Sequence, residues 1–135
     1  MAGYSQRSLV SKLGIKAGYR VHLVNAPADY DETLCELPAS VELAAYLAEP
    51  LDFIQCFSKD KTELERLFPR LKQAMAFDGM LWISWPKRAS KVKTDLNENV
   101  IRELGLQNGL VDVKVCAIDE VWSGLKFVYR LKDRK

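Results

Sequence analysis

The chain has 135 residues, of which 48% are hydrophobic and 28% are charged, a composition typical of one soluble globular domain. Its 20 basic and 18 acidic residues leave a net charge of +2, which is too close to neutral to indicate a nucleic-acid-binding protein. No apolar run is long enough to span a bilayer, and the first residues lack the apolar segment of a secretory signal. Its three cysteines, Cys35, Cys56 and Cys116, form no C-x-x-C pair, so we expect neither structural disulfides nor a structural zinc site. These features predict a single domain over residues 1–135, located in a bacterial cytoplasm and without a membrane partner.

Helical and strand patterns alternate along the chain. The predicted helices are residues 8–13, 28–36, 60–75 and 95–104, and the predicted strands are residues 19–24, 41–47, 51–57, 80–87, 110–118 and 125–131. The run at 41–47 is ambiguous, because its alanines favour helix, and we interpret it as a short edge strand. Helices that alternate with buried strands are typical of a parallel βαβ sheet, and the last two strands are close enough to pair as an antiparallel hairpin.

Caps and breakers predict where these elements begin and end. The predicted boundaries are Gly14 as a left-handed helix cap, Asp29 or Asp31 as the cap of the second helix, Asp60 with Glu63 as a capping box, Pro69 as a kink or a restart, Asp78-Gly79 as a turn, Asp95 with Glu98 as a second capping box, and Gly105 and Asn108-Gly109 as the end of the last helix. Together the elements predict a three-layer, Rossmann-like α/β domain whose mostly parallel sheet of about six strands ends in the hairpin.

Ligands of open parallel sheets bind beyond the carboxyl ends of the strands. Four strand exits would meet there if the strand at 110–118 runs parallel to the others. The side chains that we expect to bind a ligand at this edge are Asn25, Pro27, Lys59, Ser84, Trp85, Lys87, Glu120 and Trp122. Trp82 alternates to the other side of Ile83 and is expected in the core.

Each of these residues also has a structural interpretation. Trp85 and Trp122 could simply cover the end of the sheet. The basic loop over residues 87–93 could bind phosphate or a nucleic-acid backbone, but a solvated loop is the more common outcome. His22, the only histidine, is expected as a packed core residue rather than a catalytic one, and a Ser-His-Asp or Cys-His arrangement would depend on that buried position. The acids have no thiol or imidazole cluster beside them for a metal. No catalytic or metal-binding residue is therefore assigned.

The order of the elements resembles the S-adenosylmethionine-dependent methyltransferase fold in a cut-down form. Residues 13–21 look like the approach to the first strand of that fold, and residues 64–85 look like a helix, glycine turn and central strand. The closing helix and hairpin match its end. The resemblance covers most of the chain from Ile15 to Arg130 and implies a Rossmann-like fold.

The chain also resembles a bacterial family of uncharacterised small proteins, a domain of unknown function. The strings that carry this resemblance are Val24-Asn25-Ala26-Pro27, Ser84-Trp85-Pro86-Lys87, Val111-Asp112-Val113-Lys114-Val115-Cys116 and Glu120-Val121-Trp122-Ser123-Gly124-Leu125-Lys126. This resemblance implies a fold and supplies no activity.

Three departures from the methyltransferase pattern weaken the expectation of its cofactor. The turn after the first strand, residues 25–29, has no glycine and contains a proline. Only Glu49 is a candidate for the acid that would hold the ribose hydroxyls. The segment between the first strand and Leu51 is also too short for the usual extra βα unit. The cofactor is therefore left unassigned.

Three functional hypotheses remain open. The leading one is a non-catalytic Rossmann-like module that binds a small ligand or a protein partner at the carboxyl edge of the sheet. The second is a divergent S-adenosylmethionine-dependent methyltransferase. The third is weak nucleotide or nucleic-acid binding through residues 87–93 and the basic tail, although a nucleic-acid partner is not expected from the composition. The tail cations are Arg130, Lys132, Arg134 and Lys135.

Overall fold

A six-stranded sheet with helices on both faces forms the protein, as seen in a computed structural model that describes residues 8–47 and 50–134. The helices are α1 (Leu9–Leu13), α2 (Tyr30–Leu34), α3 (Lys61–Ala74) and α4 (Glu98–Gln107), with 3-10 turns at Arg88–Ser90 and Leu131–Asp133. The strands are β1 (Arg20–Val24), β2 (Glu42–Leu43), β3 (Leu51–Phe57), β4 (Met75–Pro86), β5 (Leu110–Ala117) and β6 (Trp122–Tyr129). Among these residues, no helix has the length and apolar character needed to cross a membrane.

The strand order across the sheet is β2-β1-β3-β4-β6-β5. Strands β1 to β4 are mutually parallel, whereas β6 pairs antiparallel with both β4 and β5. Because β4 and β5 both oppose β6, they run in the same direction, and β5 ends at the same edge of the sheet as β1, β3 and β4. The predicted α/β fold is therefore confirmed, including the closing antiparallel hairpin.

Each face of the sheet buries its own apolar cluster, which gives the three layers. Helices α3 and α4 pack on one face, where Phe68 and Ile101 are completely buried. On the opposite face lie α1 and α2, which bury Leu13 and Tyr30. Trp82 is completely buried on the α1/α2 face, and its Nε1 donates to the carbonyl oxygen of Leu13 at 2.9 Å. The expectation that Trp82 belongs to the core is confirmed.

Helix α3 begins with only half of the predicted capping box. The Asp60 carboxylate accepts the Glu63 N–H at 3.1 Å, as that motif requires. The return bond is replaced by Ser58, whose Oγ accepts the Asp60 N–H at 3.3 Å and donates to the Glu63 carboxylate at 3.1 Å. The helix then runs unbroken through Pro69, so the predicted restart at that residue is wrong.

Several other predicted boundaries are wrong because a tertiary contact replaces the local pattern. Asp78-Gly79 lies inside β4 rather than in a turn, in the irregular stretch where β4 carries extra residues opposite β3, and a Cβ at Gly79 would lie 2.7 Å from the Leu51 carbonyl oxygen. Gly105 lies within α4, where a Cβ would lie 2.0 Å from the Phe127 ring, and the helix ends instead at the other predicted position, Asn108-Gly109. Glycine therefore marks close packing at both positions rather than the end of an element.

Two of the predicted helix caps differ from those observed. Asn97 rather than Asp95 caps α4, through its Oδ1 and the Val100 N–H at 2.9 Å, while Asp95 accepts the Lys61 N–H at 2.8 Å. Asp29 occupies the cap position of α2 without a side-chain hydrogen bond. Gly14 ends α1 in the left-handed region at φ +90°, as predicted. At the sheet margin, β2 keeps only two of the seven residues that were predicted for it.

Candidate ligand-binding site

The pleat of the sheet divides the predicted edge into two clefts. Pro86 at the end of β4 pairs with Trp122 at the start of β6, and Trp85 pairs with Ser123. Trp85 is 6% exposed and belongs to the cluster on the α3/α4 face, whereas the half-buried Trp122 packs against the α1/α2 face. The two tryptophans that the sequence predicts as one site therefore lie on opposite faces of the sheet.

The Trp122 cleft has a volume of about 500 Å³ and lies where β1 and β3 end and β6 begins. Four of the eight residues predicted to bind a ligand meet in it. Its lining residues are Asn25, Pro27, Phe57, Ser58, Lys59, Asp60, Glu63 and Trp122. Asp60 and Glu63 are not among the predicted residues, although their capping-box spacing already placed them beside the end of β3.

The turn after β1 adopts the backbone conformation of a glycine turn without a glycine. Asn25 is exposed and has φ +58°, in the left-handed region that asparagine tolerates better than other side chains. Two residues later, the Pro27 carbonyl oxygen accepts the Tyr30 N–H at 3.1 Å and leads the chain into α2. The turn is therefore tight, and it presents the Asn25 side chain and the Pro27 ring to the cleft.

Two aromatic contacts hold the wall of the Trp122 cleft. The ring of Trp122 lies edge-on to Phe57 at 5.1 Å, and Phe57 lies edge-on to Tyr30 at 4.8 Å. The Asp119 side chain also holds the backbone beside this wall, because its Oδ1 accepts the N–H groups of Val121 and Trp122 at 2.8 Å each. Trp122 is therefore fixed by packing and by its own backbone.

A buried hydrogen-bonded chain lies beneath this aromatic wall. The Tyr30 hydroxyl donates to the Gln55 Oε1 at 2.6 Å, and the Gln55 Nε2 donates to the Ser84 Oγ at 3.0 Å. All three side chains are buried, and burial raises the pKa of Tyr30 far above its usual value. Ser84, predicted as a ligand-binding residue, is completely buried in this chain and does not line the cleft.

The basic cleft lies beside the first, on the α3/α4 side of the same edge, and has a volume of about 520 Å³. Three cations and no acid are among its lining residues, within the part of the chain that the structure describes. These residues are Trp85, Pro86, Arg88, Lys91, Val92, Lys93, Thr94, Leu96 and Asn97. The loop that was expected to be merely solvated thus forms the wall of a concave site.

The remaining predicted residues lie outside both clefts. Lys87 is half-buried and its N–H donates to the Val121 carbonyl oxygen at 2.7 Å, which joins the two strand exits. Glu120 is exposed and lines neither cleft. The basic tail follows β6 to the opposite edge of the sheet, where Arg134 donates to the Tyr129 carbonyl oxygen at 3.1 Å, so it does not extend the basic loop. Lys135 lies outside the described residues.

The buried Cys56 thiol and the single histidine of the chain are each held within the sheet. Burial raises the pKa of the Cys56 thiol to about 12, so it stays protonated at neutral pH. The imidazole of His22 is half-buried in β1, and its Nδ1 donates to the Ala44 carbonyl oxygen at 2.8 Å. Over residues 8–47 and 50–134, no group of three metal-binding side chains occurs.

No protein-family model matches the sequence, and no curated protein is similar to it in sequence. Solved structures are similar in fold. A DhpI–SAH complex superposes with a TM-score of 0.64 at 11% identity, covering 92% of this chain and 83% of that chain. A SAM-dependent methyltransferase from Aquifex aeolicus gives 0.59 at 16% identity, covering 88% and 86%. The magnesium protoporphyrin IX methyltransferase of Synechocystis PCC 6803, with bound SAM, gives 0.57 at 13% identity, covering 90% and 74%.

The chain has the Rossmann-like fold of S-adenosylmethionine-dependent methyltransferases. At such low identities the likeness shows the fold alone. The described residues do not complete the cofactor site that the resemblance implies: Pro27 has no N–H to offer in the turn after β1, and residues 44–47 after β2 include no acid. The expected acid, Glu49, lies outside the described residues. We therefore derive no methyl-transfer step for this site.

Proposed function

We propose that the protein is a non-catalytic module that binds a small molecule in the Trp122 cleft. The observation that carries the proposal is the convergence of Asn25, Lys59 and Trp122 from the ends of three strands into one cleft of about 500 Å³. Small-molecule sites are concave, lie at this edge of α/β sheets and fall in this range of volume. The concave shape favours a small molecule over a protein partner, which would require a broad contact surface.

The lining suggests the chemistry of the ligand. Trp122 offers a fixed aromatic surface to an apolar or flat group, while the Asn25 amide and the Lys59 ammonium can bind polar or anionic groups. Asp60 and Glu63 are already hydrogen-bonded at the start of α3. A ligand with a flat body and an acidic or carbonyl-rich end fits these side chains best.

The ionisable groups support binding rather than catalysis. General acids and bases work best when their pKa lies near the working pH. Burial instead raises the pKa away from neutrality in Tyr30, at the start of α2 beneath the cleft, and in Cys56, near the end of β3 on the opposite face of the sheet. Neither group can serve as a proton acceptor or nucleophile at neutral pH.

A thermal-shift screen with cofactors, nucleotides and amino-acid derivatives tests the proposal. A ligand at 100 times its Kd stabilises the protein by about 2.7 kcal/mol. We expect Trp122→Ala and Lys59→Gln to abolish that shift, whereas Tyr46→Ala, which removes an aromatic ring that is 74% exposed and outside the cleft, should keep it. A ligand that binds all three variants equally well, or is chemically converted by the wild-type protein, would overturn the proposal.

A divergent S-adenosylmethionine-dependent methyltransferase is the second candidate. It is favoured by the fold and by the left-handed conformation of Asn25, which takes the place of a glycine in the turn after β1. Calorimetric titration with S-adenosylmethionine and S-adenosylhomocysteine at about millimolar concentration tests it, because weak binding is still measurable there. Absence of heat with both compounds would eliminate this candidate.

We also propose membership of the bacterial family of small proteins that the sequence resembles, with a cytoplasmic location. Three of the four strings that carry that resemblance lie at the carboxyl edge of the sheet, at residues 24–27, 84–87 and 120–126. Fractionation of a bacterial host that expresses the protein tests the location. Recovery outside the cytoplasmic fraction would contradict it.

A further inference from the structure

The three cations of the basic cleft lack acidic partners. Among the described residues, Arg88, Lys91 and Lys93 are exposed and take part in no ion pair. Asp60 and Asp95 lie in an adjacent cavity beside Lys93, but neither carboxylate forms an ion pair with it. The lining of the basic cleft itself has three cations and no acid, an arrangement that attracts anions.

Hydrogen bonds hold the loop that carries these cations. The Ser90 Oγ donates to the Lys87 carbonyl oxygen at 2.6 Å and accepts the Val92 N–H at 3.2 Å. Farther along, the Thr94 Oγ1 donates to the Lys59 carbonyl oxygen at 2.7 Å and so ties the loop to the end of β3. The cations thus project from a fixed backbone, which reduces the ordering cost of binding.

Buried apolar side chains form the floor beneath the cations. Trp85 is 6% exposed, Leu96 is 4% exposed, and Pro86 is also buried. This floor keeps water away from one side of the cleft and strengthens the attraction between the cations and a bound anion. Arginine adds geometric fit, because its guanidinium can form two parallel hydrogen bonds to a phosphate group.

We propose that the basic cleft is a second binding site, for a mono- or diphosphate group carried by a small molecule. Its size suits such a ligand, since about 520 Å³ accommodates a diphosphate with an attached body. Two features argue against a nucleic-acid backbone. Among the residues that the structure describes, the tail cations Arg130, Lys132 and Arg134 lie at the opposite edge of the sheet and do not extend the basic cleft. The buried Trp85 also cannot stack on a base.

Calorimetric titration of the full chain with inorganic pyrophosphate at about 50 mM salt tests the site. The variant is the triple substitution Arg88→Gln, Lys91→Gln, Lys93→Gln. Its charge-matched control is Arg70→Gln, Lys16→Gln, Lys132→Gln, which removes three exposed cations from other surfaces. We expect the first triple to weaken binding by at least about tenfold, because each charged hydrogen bond contributes on the order of a factor of ten. The control should change the Kd by less than about twofold, since screening confines these charges to their neighbourhood.

A second titration with ADP distinguishes the source of the phosphate. If ADP binds with the same affinity as pyrophosphate, the ligand is a bare phosphate group; if ADP binds more tightly, the ligand is a nucleotide. Both results support the site. Raising the salt to about 200 mM should weaken binding by either ligand. Three results would overturn the proposal: no heat with either compound at about 1 mM, equal losses in the two triple variants, or an oligonucleotide that binds through the same cations more tightly than ADP.

Discussion

The Trp122 cleft and the basic cleft lie at one edge of the sheet, yet they differ in almost every physical respect. The first has an aromatic wall, both signs of charge and a buried polar chain beneath it. The second has a buried apolar floor and cations alone as its charged lining. Their tryptophans are separated by a single register step, because Pro86 pairs with Trp122 and Trp85 with Ser123. Alternation of side chains along paired strands is thus enough to turn one edge into two chemically distinct sites.

The largest expected difference between the two clefts is the loss of stability when the tryptophan of each is replaced by alanine. Trp85 is 6% exposed and belongs to the core, so Trp85→Ala should lower the free energy of unfolding by about 3–5 kcal/mol. Trp122 is half-buried, and Trp122→Ala should cost about 1–2 kcal/mol. Urea denaturation of the two variants measures the difference. Equal costs would mean that Trp122 is as much a part of the core as Trp85.

At alkaline pH, the ionisable groups on the two faces of the sheet should lower the free energy of unfolding over different pH ranges. Cys56 belongs to the α3/α4 face, and its pKa is raised from 9.0 to about 12, mainly by burial. Because the unfolded thiol ionises first, the stabilising contribution is complete below pH 9 and is lost as pH rises towards 12, at about 1.4 kcal/mol per pH unit. In Cys56→Ala we expect no such loss between pH 9 and 10. Urea denaturation at each pH measures the free energy of unfolding, which is compared with the value for the same variant at about pH 8.

Tyr30 provides the matched control on the α1/α2 face. Its pKa is raised from 10.0, mainly by burial, so its contribution is complete below pH 10 and falls only above that value. Tyr30→Phe should therefore keep the loss between pH 9 and 10. A wild-type protein whose stability is constant from pH 9 to 11 would contradict both assignments.

The polar groups beneath each cleft should differ in what they contribute to stability. Tyr30→Phe leaves the buried Gln55 Oε1 without its donor and should cost about 1–3 kcal/mol. In the basic cleft, Ser90→Ala removes partly exposed bonds to Lys87 and Val92, and water can replace them at a cost of about 0.5–1 kcal/mol. Thermal unfolding of both variants checks the order. A larger loss for Ser90→Ala would show that the loop, not the buried chain, holds the edge together.

The smallest expected effect concerns the two left-handed residues, Asn25 in one cleft and Lys91 in the other. Their φ angles are +58° and +62°, and asparagine adopts this region at a lower cost than lysine does. Lys91→Gly should therefore stabilise the protein by about 0.5–1 kcal/mol, whereas Asn25→Gly should be close to neutral. Differential scanning calorimetry can resolve the two. Stabilisation by Asn25→Gly alone would reverse the assignment of strain.

The sequence predicts the elements best where its signals are local. Strand β3 was predicted to the residue, because Pro50 and Ser58-Lys59 bound a continuous apolar run. Gly79 was assigned wrongly because a glycine in a turn and a glycine under a neighbouring strand look alike in sequence. The distinction depends on how closely β4 passes the Leu51 carbonyl oxygen of β3, a contact between residues far apart in the chain.

The residues predicted for the candidate site divide between two clefts, which the sequence analysis did not foresee. That a ligand binds at this edge of the sheet stays a prediction, whereas alternation correctly assigned Trp82 to the core. The same alternation, continued to Ser84 and Trp85, would have separated the two clefts. The Tyr30–Gln55–Ser84 hydrogen-bonded chain could not be predicted from the sequence, because its three members come from different elements and share no sequence pattern.

The position of β6 also governs the order in which the protein can assemble during synthesis. Strand β6 lies between β4 and β5, so β5 has no neighbour in the sheet until β6 has been made. A nascent chain that ends before residue 122 leaves one edge of the twelve-residue β4 open, and that strand is rich in apolar and aromatic side chains. Open edges of this kind pair readily with other chains. Chains released from ribosomes that stall after β4 but before residue 122 would therefore be the form of this protein most prone to aggregate.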